Sequence, residues 1–206
     1  MVKVKVCGIT NLEDALSAAG QGADALGFVF YKKSPRYIKP IKARAIIKQL
    51  PKSIKRVGVF VNAREGTIRR LANYLRLDML QFHGFESGDF CSRFKGFKII
   101  KAFRVSRKIQ PKDLSKYNVW AYLFDTSITN KFGGTGKSFD WQLLSGLSGF
   151  KKIIFLSGGL NPGNVRKALE AFPAQWVDAS SSLERYAGKK DAYKIRKFIR
   201  NAKAKG

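Results

Sequence analysis

The chain is poor in histidine and cysteine: it has only His83, Cys7 and Cys91. One imidazole excludes most histidine-based metal centres, and any histidine-dependent triad would have to use it. No Cys, His and carboxylate spacing suited to zinc occurs. The two cysteines are too few and too far apart for a disulfide framework. Low-complexity tracts are lacking, and no apolar run approaches the length of a membrane span. Met1-Val2-Lys3-Val4-Lys5-Val6 alternates apolar with charged residues, so it offers no continuous apolar signal segment. A cytoplasmic location with no membrane partner is expected. Acidic residues are scarce too: 14 stand against 40 Lys and Arg, a net charge of +26. Such an excess can mark a protein that binds nucleic acid or a membrane surface. Here the basic residues are scattered, densest between Arg185 and Lys205 on a segment that reads as a helix, and scattered charge fits a solvated surface. No aromatic-plus-basic RNA motif is visible, so no specific nucleic-acid partner is expected.

What the chain does have is a core. Hydrophobic residues make up 45% of its 206 positions, and strand and helix signals alternate from end to end. Strands are expected at 2–6, 25–30, 57–61, 79–83, 97–103, 119–124, 153–156 and 175–179. The run at 25–30 is apolar almost throughout, as in a strand buried on both faces. Helices are expected from Leu12, with Thr10 or Asn11 as cap, then at 41–50, 64–75, 86–94, 112–117, 141–147 and 191–202. One more should start with Asn161 as N-cap and Pro162 at the first helical position. Eight strands, each followed by a helix that makes a crossover long enough for parallel pairing, imply an α/β fold. We read it as a single-domain (β/α)8 barrel over residues 1–206.

In such a barrel the active site lies at the carboxyl ends of the strands. The polar residues to examine are therefore Cys7, the 31–37 loop, Gln81, His83, Asp125, Ser157-Gly158-Gly159 and the segment from Asp178 to Ser182. Gly158 and Gly159 after strand seven, with Ser180 and Ser181 after strand eight, match the place where barrels commonly bind phosphate. One glycine pair alone could merely turn the chain; two such features on adjacent strands favour phosphate. Lys131-Phe132-Gly133-Gly134-Thr135-Gly136-Lys137-Ser138 is not a P-loop, because the first glycine of that motif would fall on Lys131. It reads as an active-site loop in which Gly134 and Gly136 permit tight turns over a ligand. By position alone Cys7 is equally a buried small hydrophobe or a reactive thiol, whose thiolate can act as a base. Asp125 is an acid at the end of an apolar strand, or else a cap. Cys91 reads as structural. His83 suits ligand contact or a structural role better than a metal role.

Taken in order, several blocks resemble the phosphoribosylanthranilate isomerase family of tryptophan biosynthesis. They are Lys5-Val6-Cys7-Gly8-Ile9-Thr10, Gly22-Ala23-Asp24-Ala25-Leu26-Gly27-Phe28-Val29-Phe30, Ser34-Pro35-Arg36-Tyr37-Ile38, and Val57-Gly58-Val59-Phe60-Val61-Asn62. They continue with Gln81-Phe82-His83-Gly84, Phe124-Asp125-Thr126, Gly133-Gly134-Thr135-Gly136-Lys137, Leu156-Ser157-Gly158-Gly159-Leu160-Asn161-Pro162, and Val177-Asp178-Ala179-Ser180-Ser181. The resemblance implies an aldose–ketose isomerase that carries out an Amadori rearrangement by general acid–base catalysis. It implies Asp125 as acid, Cys7 as base and Arg36 as partner of the anthranilate carboxylate. Gln81, His83 and Asp178 would face the substrate, and Gly134, Gly136, Gly158, Gly159, Ser180 and Ser181 would bind its phosphate. It implies a small phosphosugar–anthranilate ligand and neither a metal nor an organic cofactor. The family includes monomers and dimers, so a homodimer is one expected state.

The chain departs from the family after strand eight, where Ser182 stands at a usual glycine. A backbone there that needs a positive φ or close phosphate contact would weaken binding. Phe82 replaces a more common leucine, and the positive charge is not a family trait. The related histidine-pathway aminoaldose isomerase has similar phosphate loops but an aspartate at the position of Cys7. A basic nucleic-acid-binding protein is the non-enzyme alternative, supported by charge and opposed by the ordered blocks.

Overall fold

The computed structural model describes residues 1–126 and 140–204. Eight parallel strands close on themselves in chain order. They are β1 (Lys3–Cys7), β2 (Ala25–Val29), β3 (Lys55–Phe60), β4 (Met79–Phe82), β5 (Lys98–Val105), β6 (Ala121–Thr126), β7 (Ile153–Leu156) and β8 (Trp176–Ala179). β8 pairs with β1 to close the ring, with Lys5 opposite Asp178. Around the barrel lie α1 (Leu12–Gly20), α2 (Pro40–Ile47), α3 (Glu65–Leu75), α4 (Gly88–Ser92), α5 (Pro111–Leu114), α6 (Val165–Ala171) and α7 (Ala192–Lys203). A 3-10 helix, Trp141–Leu147, stands where a sixth helix was expected. The (β/α)8 barrel read from the alternation is the architecture observed. Among the described residues no helix is long and apolar enough to cross a membrane.

Strand side chains alternate between two faces, and in a closed barrel both are buried. The inner face holds Ala25, Val57, Met79, Ile100, Leu123, Phe155 and Trp176. The rings of Phe155 and Trp176 stack there, 4.7 Å between centroids. The outer face carries Val4, Val6, Leu26, Phe28, Leu80, Phe124 and Val177 against Ala15, Ile68, Leu75, Ile195 and Phe198 of the helices. This arrangement reverses the ordinary meaning of the alternation in β1. Its valines face the helices, and its charged residue Lys5 is fully buried at 0% exposure.

Caps set the helix starts. Asn11 accepts from the Asp14 N–H at 2.9 Å, and Asp191 accepts from Tyr193 and Lys194 N–H at 2.9 and 3.1 Å. The helix expected from Asn161 and Pro162 begins only at Val165, with Asn164 as N-cap. Asn161 spends its side-chain oxygen on the N–H groups of Gly163 and Asn164, at 2.7 and 3.1 Å, and so closes a turn ahead of the helix. An antiparallel ribbon between β8 and α7, β9 (Glu184–Tyr186) with β10 (Lys189–Lys190), was not expected. Strands of two and three residues are too short for a period of two to register.

Candidate active site

The carboxyl ends of the strands surround one pocket. It is lined by Cys7, Arg36, Gln81, His83, Asp125, Gly158, Gly159, Asp178, Ser180 and Ser181, together with Tyr31, Ser157 and Ser182. Every site residue expected from sequence within the described range is therefore gathered at the barrel mouth. Gly134 and Gly136 lie outside the described residues. Alternation explains the convergence: Cys7, Gln81, Asp125 and Asp178 sit near the ends of β1, β4, β6 and β8, two residues beyond inner-face positions.

Asp125 lies in the pocket with its side chain 9% exposed. Its Oδ1 accepts from the Thr126 N–H at 2.8 Å, and its Oδ2 lies 3.1 Å from Nε2 of His83. On the far side of the imidazole, Nε2 of Gln81 lies 2.9 Å from Nδ1. An amide nitrogen only donates, so this orientation makes Nδ1 the acceptor and leaves the ring proton on Nε2, where it donates to Asp125. Gln81 Oε1 is buried without a hydrogen-bond partner among the described residues. Gln81 and His83 thus line the pocket, as expected, and also form a relay that orients Asp125. Sequence reasoning had no signal for the relay beyond the spacing of residues 81 and 83.

Cys7 is the thiol of the pocket, 8% exposed. Burial pushes its pKa above the usual thiol range, while the charge of Lys5 pulls the other way. Lys5 itself was not expected at the site. Burial disfavours its charge, but Asp178 and Cys7 more than offset this and hold the ammonium above the usual lysine range. Its Nζ donates to Asp178 Oδ1 at 2.8 Å. Among the described residues no His, Cys, Asp and Glu side chains form a group that could hold a metal ion.

The phosphate side follows the loops after β7 and β8. Gly158 has φ +78°, and a Cβ there would lie 2.5 Å from the Thr126 nitrogen. Only glycine gives both that backbone conformation and that close approach. The Ser157 N–H is committed to Phe124 O at 2.9 Å, while among the described residues no acceptor takes the N–H of Gly158 or Gly159. Both glycines line the pocket, and backbone N–H groups without an acceptor suit an anion. Ser182 is not among the non-glycine residues with positive φ, so the loss of glycine strains nothing. Its hydroxyl donates to Leu160 O and ties the two loops together.

Arg36 reaches the pocket from the loop after β2. Glu184 of the unexpected ribbon takes one edge of its guanidinium, Nε–Oε1 at 2.8 Å and Nη2–Oε2 at 2.7 Å. Among the described residues no group takes the other edge. Lys190 is buried on the same carboxylate, Nζ to Oε1 at 2.9 Å. Burial raises the pKa of Glu184, but Arg36 and Lys190 outweigh it, and the net shift is downward. A depressed carboxylate contributes stability above its unfolded pKa of about 4.3, and that contribution is lost as pH falls through the folded value. Glu184→Gln is expected to cost roughly 3 kcal/mol at neutral pH. The gap from wild type should close below about pH 4. Denaturant midpoints at both pH values measure this, and a gap that does not change with pH would show that the charge of Glu184 is not what stabilises the cluster.

Known proteins share this arrangement over almost the entire length. Residues 4–201 match the family model of N-(5'phosphoribosyl)anthranilate (PRA) isomerase. The N-(5'-phosphoribosyl)anthranilate isomerase of Geobacter metallireducens is 45% identical over 204 residues, spanning 99% of this chain and 100% of that protein. The crystal structure of phosphoribosyl anthranilate isomerase from Thermotoga maritima superposes with a TM-score of 0.90 at 44% identity, covering 98% of this chain and 99% of the other. A further crystal structure of phosphoribosyl anthranilate isomerase, in complex with reduced 1-(o-carboxyphenylamino)-1-deoxyribulose 5-phosphate, superposes with a TM-score of 0.86 at 42% identity, covering 98% of this chain and 99% of the other. With its barrel, its mouth residues and its full-length relatives in agreement, the chain belongs to the N-(5'-phosphoribosyl)anthranilate isomerase family.

Proposed function

We propose that Asp125 and Cys7 divide the proton transfers of the reaction that defines this family. That reaction is the Amadori rearrangement of N-(5'-phosphoribosyl)anthranilate to 1-(2-carboxyphenylamino)-1-deoxyribulose 5-phosphate in tryptophan biosynthesis. Asp125 protonates the ribose ring oxygen, the C1–O bond breaks, and an iminium forms at C1. Cys7 removes the proton from C2, and the resulting enolamine becomes the ketone as C1 gains a proton and the C2 hydroxyl loses its own. C1 is reduced and C2 oxidised within one molecule, so protons and electrons balance without an external oxidant or reductant. The observation that carries this reading is the pocket itself, where Asp125 and Cys7, both buried, share the mouth with the Gly158–Gly159 turn. The Gly158–Gly159 turn and Ser180–Ser181 hold the phosphate, which anchors the remote end and orients the sugar. The open edge of Arg36 meets the anthranilate carboxylate.

Fluorescence-monitored turnover of N-(5'-phosphoribosyl)anthranilate tests this. The wild type is expected to convert it and to leave the histidine-pathway aminoaldose unchanged. A folded protein that converts only the aminoaldose, or neither, would overturn the reading. The substrate is an anion with charge at both ends, and the chain carries +26. Capture should therefore be salt-sensitive: kcat/KM is expected to fall about tenfold between roughly 0.01 M and 0.15 M ionic strength, with kcat nearly constant. A flat profile in stopped-flow or steady-state assays would show that the surface charge does not steer this ligand.

A further inference from the structure

Lys5 is a charged side chain at 0% exposure inside the barrel. Positions on the same inner surface are filled by Val57, Met79 and Ile100, and an apolar residue would fit there without the cost of desolvating a charge. Its Nζ is fixed by Asp178 Oδ1 at 2.8 Å, across the seam that closes the barrel. Cys7 follows two residues later on the same face. Across from it, in register on β2, stands Gly27. A Cβ on Gly27 would lie 2.7 Å from Cys7 Sγ and 3.2 Å from Lys5 Nζ. Sulfur and ammonium therefore crowd the one spot that this glycine leaves empty.

We propose that Lys5 is a positioning residue for the reaction: its ammonium, oriented by Asp178, stabilises the thiolate of Cys7, and Gly27 leaves the room that brings the two together. The proposal rests on the reading of Cys7 as the base. Burial raises the Cys7 pKa, and the charge of Lys5 is the largest influence opposing it. Asp178 acts on the thiol in the opposite sense, and Lys190 from β10 acts weakly in the same sense as Lys5. Asp125 and His83, across the mouth, act on Asp178. Lys5 and Asp178 thus push the thiol in opposite directions although they form one ion pair.

Opposite signs make the test. In a Cys91→Ser background only Cys7 remains, and its alkylation by iodoacetamide is followed from about pH 6 to pH 10. In Lys5→Met/Asp178→Asn the buried pair is replaced by neutral groups. The titration of alkylation should move to higher pH, with the rate at neutral pH down about tenfold. In the same variant kcat should fall. In Asp178→Asn alone the ammonium stays and the carboxylate goes, so the titration should move to lower pH. If both variants shift the same way, or neither shifts, the pair is only structural and the proposal fails. Should the double variant not fold, Asp178→Asn alone decides, because an unchanged or higher titration overturns the idea. Alkylation needs no substrate. If the shifts appear but Cys7→Ser still turns over substrate, the base assignment fails while the coupling of Lys5 to Cys7 stands.

Discussion

Asp125→Asn is expected to lower kcat by about 10³-fold while leaving the protein folded and KM within a few-fold of wild type. The loss follows from the chemistry, since an amide cannot deliver a proton to the ribose ring oxygen. The retained fold follows from the relay. In the wild type, Asp125 accepts from Thr126 N–H and from His83, and Gln81 donates to the other ring nitrogen. In the variant the amide oxygen keeps the bond to Thr126, and its NH₂ turns toward His83. The imidazole then accepts at Nε2 and carries its proton on Nδ1. Gln81 accommodates this by rotating its amide, which brings its unpartnered buried oxygen to the ring. A polar network that can reverse without orphaning a group costs little. Nitrogen NMR of the single histidine would show the tautomer exchange directly. If turnover survives, Asp125 is not the acid. If the variant unfolds, the reversible relay is wrong.

Cys7→Ser is expected to match that loss, with kcat down about 10³-fold or more and stability within about 1 kcal/mol. Serine fits the space, but its hydroxyl is far less acidic than a thiol and does not ionise at the pH where the enzyme works. Raising the pH therefore should not restore turnover. Cys7→Asp separates the loss of a base from the loss of sulfur. A carboxylate is a base at neutral pH, and Lys5 stands ready to pair with it. Cys7→Asp should keep measurably more turnover than Cys7→Ser. Equal loss in both would mean that sulfur serves some purpose other than proton abstraction. Single-turnover fluorescence distinguishes these outcomes, because it reads the chemical step without product release.

Much of the site was legible because a barrel imposes a simple rule. Residues that end an apolar strand point into the mouth, so Cys7, Gln81, Asp125 and Asp178 could be named from their strands, and Gly158 and Gly159 from their turn. The reading failed where local pattern competes with tertiary context. Asn161 makes N-cap-like bonds to the N–H groups of Gly163 and Asn164, yet regular α6 begins only at Val165, and Asn164 at its N-cap position makes no side-chain cap bond. Residues 141–147 have helical spacing but wind as a 3-10 helix. Ser182 stands at a usual glycine, and only its observed backbone conformation removes the expected strain.

The sequence by itself determined the strand–helix alternation, the eight-stranded barrel and the family, because periodicity and ordered motifs are properties of neighbours along the chain. The tertiary structure decided which charges meet. Lys5 and Asp178 are 173 residues apart, and Arg36 and Glu184 are 148 apart. Alternation says which residues share a face, but not that closing the barrel joins β1 to β8, nor that a ribbon after β8 returns Glu184 and Lys190 to the mouth. The lysine that alternates with valines in β1 becomes a buried ammonium beside a thiol, because a closed barrel leaves neither face of its strands to water.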